Sequence, residues 1–359
     1  MKILHTSDLH LKEGKKERIG ALEEILKIAE NEKVDYLTIS GDLFDSDVES
    51  INSSILPIVR DSFSNKSFKI ILIPGNHDKN SFSSSKYYFG ENITQITDIE
   101  DFEIIDGDIR FIGIPYSEED FNQNIYPKLL EVKDDKINIL LIHCTLDFGI
   151  NKKSDFGEEE QSRYMPVSTS TFNTLKMNYI LAGHFHSKCH FKDISDTCTF
   201  IYPGSPVSIT SKEEDKRYVV LIDTDNLNSK NKGINAIPIK TFYYKKIYCQ
   251  LIPNSEEEAL KTLEKELSMH NPNRCHIEVI LDGYISLEEL DFKNKTKKII
   301  PSTVNLNENY RSIKNLMDTD YYRKIMSKLK EKNYSQEEET QLQEVLIRSM
   351  SQIPSGDRK

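Results

Sequence analysis

Leu37-Thr38-Ile39-Ser40-Gly41-Asp42-Leu43-Phe44-Asp45 is the stretch from which the fold is read. An apolar, partly β-branched run ends in Gly-Asp and then turns apolar again. That is the pattern of a buried strand that stops at a glycine and offers a carboxylate from the loop beyond it. In an open α/β sheet, ligands collect beyond the carboxyl ends of the strands. A lone aspartate there is more often a helix N-cap. What makes Asp42 a candidate metal ligand is the set of residues at the other strand ends.

Outward from this stretch the chain alternates. Lys2 to His5 forms a strand before the loop Thr6-Ser7-Asp8-Leu9-His10. Glu17 to Asn31 places Ile19, Leu22, Ile25, Leu26 and Ala29 at helical spacing. Val48 to Phe63 forms a second helix and Lys69 to Ile73 a third strand, a β-α-β-α-β opening with a parallel sheet segment. Ile109 to Ile114, Ile137 to Ile142, Tyr179 to Ala182, Thr199 to Tyr202 and Tyr218 to Ile222 continue the strands with fewer helices between them. A second sheet of mixed direction, packed on the first, is expected. Asp225 to Gly233 reads as a loop or edge hairpin. Lys246 to Ile252, Ser255 to Ser268 and Cys275 to Leu281 predict a separate β-α-β unit, its helix opening on a Ser255–Glu258 capping box. Helices at Ile313 to Lys330 and Gln336 to Met350 follow, joined by Lys332-Asn333-Tyr334-Ser335. The expected division is 1–240, 241–302 and 303–359.

Asp8 and His10 lie just beyond the first strand, spaced so that both side chains can converge on one ion. Gly75-Asn76-His77-Asp78 follows the third strand. It supplies a carbonyl oxygen, an imidazole and a carboxylate able to orient that imidazole. His143 ends the apolar strand Ile137 to Ile142, and Gly183-His184-Phe185-His186 follows Tyr179 to Ala182. Each alone has an ordinary reading: a loop pair, a turn, a half-buried histidine. The ordered set does not.

Asp8-x-His10, Gly41-Asp42, Gly75-Asn76-His77-Asp78, His143 and Gly183-His184-x-His186 resemble, in this order, the five motifs of the calcineurin-like metallophosphoesterases. The resemblance implies an α/β/β/α sandwich with a two-metal site between the strand ends. Asp8, His10, Asp42 and His186 would hold one ion. Asp42, Asn76, His143 and His184 would hold the other, with Asp42 bridging. His77, oriented by Asp78, would act on the leaving group. Two ions about 3.5–4 Å apart can share a bridging hydroxide and clamp an in-line displacement. Mixed imidazole and oxygen donors suit Mn2+, Fe or Zn better than Mg.

Gly41-Asp42-Leu43-Phe44-Asp45, Tyr202-Pro203-Gly204-Ser205-Pro206 and the β-α-β unit are similar to the SbcD-type double-strand-break repair nucleases, over about residues 1–300. That resemblance implies Mn-dependent exonuclease or single-strand endonuclease action on DNA. It further implies a DNA-capping role for 241–302, a homodimer, and C-terminal helices that bind an SMC-like ATPase of the SbcC type. One position departs from the archaeal and eukaryotic branch, which carries a histidine after Gly-Asp-Leu-Phe. This chain has Asp45, as bacterial-type members often do.

The 359 residues suffice for one large domain and one or two smaller ones. A net charge of −11 disfavours a generic nucleic-acid binder. Bound divalent ions would return positive charge at the site itself. Basic runs at Lys12 to Arg18 and Lys293 to Lys298 are either solvated surface or local contacts for a polyanion. Cys144, Cys189, Cys198, Cys249 and Cys275 show no Cys-x-x-Cys spacing, which predicts reduced thiols in a cytoplasmic protein. No apolar run approaches a membrane span, and the N-terminus enters a strand at once. Ile51, Ile55, Ile58 and Val59 form a stripe that faces either the sheet or a second copy. A metallophosphoesterase for small phosphodiesters or phosphoproteins is the competing activity, since the metal site is shared across substrates. A non-catalytic scaffold should have lost ligands.

Overall fold

The computed structural model describes residues 1–47, 54–82, 89–100, 102–147, 165–332 and 334–351. The chain forms two compact units, Met1–Tyr243 and Tyr244–Lys359.

In the first unit, β1 (Lys2–Thr6), β2 (Tyr36–Ser40), β3 (Lys69–Ile73) and β4 (Ile93–Gln95) run parallel. β5 (Glu103–Asp106), β6 (Ile109–Ile114), β7 (Ile137–His143), β10 (Tyr179–Gly183), β11 (His190–Asp193) and β12 (Thr199–Tyr202) build a second sheet in the order β11-β12-β10-β7-β6-β5. The short pair β8 (Thr145–Leu146) and β9 (Pro166–Val167) stands apart. β13 (Tyr218–Asp223) and β14 (Ile234–Pro238) return antiparallel to complete the first sheet, β14-β13-β1-β2-β3-β4. The expected edge hairpin at Asp225 to Gly233 is the β13–β14 connection.

The central strands are apolar at successive positions because both of their faces are covered. Ile3, Ile71, Phe111, Leu141, Leu181 and Val220 fill the space between the sheets. Neighbouring positions point the other way. Leu4, Leu37 and Leu72 meet Leu22, Ile25, Val59 and Phe63 from the helices Lys16–Glu32 and Ile55–Phe63. On the far side Leu140, Ile180 and Phe200 meet Phe121, Leu129 and Phe172. The result is a four-layer α/β/β/α sandwich, as the resemblance implied. Ile55, Val59 and Phe63 are buried against the sheet, leaving Ile58 39% exposed. Ile51 and the start of the expected helix lie outside the described residues.

Gly20 sits inside the helix Lys16–Glu32, and an added Cβ would meet nothing within 4 Å. Gly20→Ala is expected to stabilise by about 0.5–1 kcal/mol through lower unfolded-state entropy. Urea unfolding of the metal-free protein measures it.

The expected boundary at residue 302 falls inside the second unit. β15 (Tyr243–Leu251), β16 (Cys275–Ile285) and β17 (Asn305–Ser312) form one sheet, and β17 pairs parallel with β16 from Glu278↔Asn305 to Ile285↔Ser312. β17 and the described residues that follow it to 351 therefore belong to the same unit. β17 (NLNENYRS) escaped the sequence reading because its polar residues carry no period-2 signal. The capping box is absent too: Ser255 makes no side-chain cap, and the neighbouring Glu256 is buried, accepting from Ser286 N (2.5 Å) and Oγ (2.7 Å). The expected helix Ile313 to Lys330 breaks at Thr319, whose Oγ1 caps Tyr322 N at 3.2 Å. Leu316, Tyr322 and Met350 from these helices close a small core on Tyr284 of β16.

Candidate metal centre

The site begins with two loops zipped together beyond β1 and β2. Asp8 N donates to Gly41 O (3.1 Å), His10 N to Asp42 O (2.9 Å) and Leu11 N to Leu43 O (2.9 Å). This pairing delivers Asp8, His10 and Asp42 to one spot. It also demands an unusual backbone: Asp8, His10, Asp42 and His184 all have left-handed φ, at 54°, 47°, 51° and 95°. Each such non-glycine residue costs on the order of 1 kcal/mol or more. Glycines supply the close approaches. A Cβ on Gly75 would fall 2.1 Å from Asp42 Oδ1, one on Gly41 2.1 Å from His143 Nδ1, and one on Gly183 1.9 Å from Ser40 O.

One donor atom from each of Asp8, His10, Asp42 and His186 lies within 4.8 Å of the other three, and all four residues are buried. His10 Nε2 faces His186 Nε2 at 3.2 Å, and Asp8 Oδ1 lies 3.6 Å from His186 Nε2. Among the described residues Asp42 Oδ2 accepts no hydrogen bond, yet it sits 3.3 Å from His143 Nε2 and 3.7 Å from His10 Nε2. His143 Nδ1 donates to Ser40 O at 2.9 Å, which turns Nε2 toward Asp42 and toward Asn76 Oδ1 at 2.9 Å. The ring of His184 stands 5.2 Å from that of His143. Imidazole lone pairs and an orphaned buried carboxylate oxygen converging from several loops fit divalent cations. The two groupings meet at Asp42, the residue expected to bridge them. A divalent ion at 100 times its Kd should stabilise the protein by about 2.7 kcal/mol. Thermal melts with and without chelator read this, and an unchanged Tm counts against a metal centre.

Burial would raise the Asp8 carboxyl, but the neighbouring His186 and His143 outweigh it and hold it at about 2. Asp42 is likewise raised by burial and carried well below the usual range by His143, His10 and His77. Burial lowers the imidazoles of His10 and of His5, each to about 4. His5 lies at the floor, with Nδ1 3.2 Å from Thr38 Oγ1. Its folded pKa is depressed, so the unfolded chain takes up the proton first as pH falls below about 6.5. Its contribution to stability is therefore present above pH 6.5 and lost toward pH 4, costing roughly 2 kcal/mol by pH 5. In the metal-free protein, His5→Gln should flatten the stability–pH slope between pH 7 and 5, measured by urea melts at each pH.

The expected His77–Asp78 pairing is not what orients His77. His77 Nδ1 lies 2.9 Å from the Asp45 carbonyl oxygen. Asp78 is fully buried and accepts Phe44 N (3.1 Å) and Gly75 N (2.8 Å), tying the two glycine loops together. Burial, then the Asp42 charge, pushes its carboxyl up to about 7. The ring of His77 stands 4.7 Å from that of His10, at the edge of the donor cluster. Asp45 pairs with Lys12 (2.8 Å) and with Arg18, which also donates to the His10 carbonyl at 2.6 Å. The basic run at Lys12 to Arg18 is thus partly structural.

Two residues escaped the sequence reading. Glu213 is fully buried, with Oε1 3.6 Å from His186 Nδ1. Arg217, also buried, donates to the carbonyls of Ser205 (2.8 Å), Ser187 (2.7 Å) and His186. They lie in the charged run Lys212 to Arg217, which reads as solvated surface.

Residues 1–188 match the family of calcineurin-like phosphoesterases. The chain belongs to this family. As a calcineurin-like phosphoesterase it is a metal-dependent hydrolase of phosphate esters, and the family and the donor cluster together point to two divalent ions. Among solved structures it is similar to TT1561 of Thermus thermophilus, with 14% identity, 66% of this chain and 98% of that one covered, and a TM-score of 0.42. A dimetal phosphatase from Danio rerio matches at 12% identity, with coverage of 62% and 91% and a TM-score of 0.41. YfcE, a phosphoesterase from E. coli, matches at 15% identity, with coverage of 67% and 100% and a TM-score of 0.35. No helix among the described residues of this phosphoesterase is long and apolar enough to cross a membrane.

Proposed function

We propose that this phosphoesterase is an Mn-dependent DNA nuclease of double-strand-break repair. The observation that carries the reading is how Tyr202–Pro206, the segment similar to SbcD-type nucleases, is wired into the metal centre. Ser205 N donates to the His186 carbonyl at 3.2 Å. Gly204, at φ 75°, lets the chain pass so close that a Cβ would lie 3.3 Å from the same oxygen. The second compact unit, 244–359, lies beyond the residues matched to the family and supports a role in holding a large substrate.

Two divalent ions, Mn2+ by preference, would be held by Asp8, His10, Asp42, Asn76, His143, His184 and His186 and would polarise the phosphoryl group and activate water. The chain's own contribution is orientation. Ser40 O fixes the His143 ring, the Asp45 carbonyl fixes His77, and His77 is placed to stabilise or protonate the departing sugar oxygen. The test compares Mn-dependent degradation of linear DNA with hydrolysis of a small phosphodiester by the same preparation. Good turnover of the small substrate and none of DNA would replace this reading with the small-substrate one.

The proposal extends to partners and place. Among the described residues no disulfide joins any of the five cysteines, as suits a reducing cytoplasm. The protein would act as a homodimer and bind an SMC-like ATPase of the SbcC type through its C-terminal helices. Those helices spend much of their apolar surface on Tyr284, so the outward residues Tyr321 (64% exposed) and Val345 (62% exposed) would make the contact. Tyr321→Glu combined with Val345→Glu should abolish co-purification with the ATPase and leave Mn-dependent hydrolysis intact. Full-strength binding by that variant would remove the helices from the interface.

A further inference from the structure

His186 has two ring nitrogens with different surroundings. Nε2 looks into the donor cluster, 3.2 Å from His10 Nε2 and 3.6 Å from Asp8 Oδ1. Nδ1 is buried and has no hydrogen-bond partner among the described residues, and a carboxylate oxygen, Glu213 Oε1, lies 3.6 Å away. The other oxygen of Glu213 is fully engaged, accepting Ser205 Oγ (2.7 Å) and Ile209 N (3.0 Å). Oε1 has only a long contact, 3.4 Å from Thr210 Oγ1. One half of this carboxylate therefore anchors a loop while the other half faces an imidazole nitrogen. Burying an ionised group is costly unless each oxygen is used, and the group that Oε1 faces is the His186 imidazole.

We infer that Glu213 is a positioning residue for the metal centre. By drawing the ring proton to Nδ1 of His186, it keeps the Nε2 lone pair directed at the ion shared with Asp8, His10 and Asp42. A metal-bound imidazole gains acidity at its other nitrogen, and an ionised acceptor beside that N–H strengthens both bonds. The distance needs to close by only a few tenths of an ångström to reach hydrogen-bond length. Arg217 makes the arrangement rigid. Its Nη2 donates to the His186 carbonyl and to Ser205 Oγ (3.1 Å), so the histidine's backbone and the glutamate's anchor hang on one guanidinium. Its positive charge also faces the buried carboxylate. Glu213 thus acts through His186 and touches neither ion nor substrate. The inference rests on the two-metal part of the proposed function and not on DNA as the substrate.

Glu213→Gln tests it, because the substitution keeps volume and one acceptor oxygen. If that oxygen keeps Ser205 and Ile209, the amide NH2 takes the place of Oε1 and donates to Nδ1. The ring proton then moves to Nε2, and the lone pair for the ion is lost. Titration of the metal-free protein with Mn2+, followed by calorimetry, should show one of two binding steps weakened by about 10–100-fold and the other unchanged. The metal-free melting temperature should stay close to wild type. Two steps at wild-type affinity would overturn the inference, as would a weakening matched by an equal loss of metal-free stability. Should the variant not fold, 15N-histidine NMR of the zinc-loaded wild type decides. A proton on His186 Nδ1 with Nε2 ligated is expected, and an unprotonated or ligating Nδ1 overturns the assignment. Neither measurement uses nucleic acid, so failure of the DNA reading leaves the result interpretable.

Discussion

His77→Ser is expected to lower turnover by about 10²–10⁴-fold, the range for losing a general acid, with metal content unchanged. The structure separates the two roles of this residue. Its backbone N–H donates to Asp42 Oδ1 at 2.9 Å and survives the substitution. Its imidazole, held at Nδ1 by the Asp45 carbonyl, is what the substitution removes. Metal content by elemental analysis, together with kcat on a phosphodiester, measures both. Loss of an ion along with activity would make His77 a ligand. An effect on KM alone would make it a substrate contact. Asp78→Asn belongs in the same series and should behave differently, because Asp78 braces Phe44 N and Gly75 N rather than the imidazole. Its damage should show first as lost stability.

Gly183→Ala is expected to destabilise the metal-free protein by about 3 kcal/mol or more, at or beyond the upper end for added core volume. The new Cβ would stand 1.9 Å from Ser40 O and 2.8 Å from His143 Nδ1. Neither atom can step aside. Ser40 is the last residue of β2, and its carbonyl holds His143 at 2.9 Å. Gly183 pairs with His143 across β7 and β10, so relief on one side tightens the other. Urea unfolding reads the loss. A change within about 1 kcal/mol, the size of an average point substitution, would mean that the two sheets do not meet this closely.

Much of the first unit could be read from the sequence because its physics is local and repetitive. Runs such as Ile137 to His143 are apolar because both faces are covered, and each ends in a residue whose side chain has no business in a core. The clustered donors Asp8, His10, Asp42 and His186 were legible for that reason. What failed to show was whatever depends on residues far apart in sequence. His77 and Asp78 are neighbours in the chain, and adjacency suggested a pair, but the partner of His77 is a backbone carbonyl 32 residues away. Glu213 and Arg217 sit among Lys212, Glu214, Asp215 and Lys216, and composition hides that two of the six turn inward. β17 is mostly polar and was absorbed into a helical tail. The Ser255 cap failed because Glu256 found a better use, bridging to Ser286 thirty residues on.

The left-handed backbone at Asp8, His10, Asp42 and His184 has a consequence for how such a protein changes under selection. Glycine at any of these positions would relieve the local conformation and, in Asp8 and Asp42, unload a buried charge as well. A mutant library screened for heat resistance in the presence of chelator should therefore enrich replacements at these candidate ligand positions. Catalytic capacity would be the first property such a lineage sheds, and the sandwich would outlast it. The same screen run with saturating Mn2+ should preserve these positions, since the ion then repays what the backbone gives up.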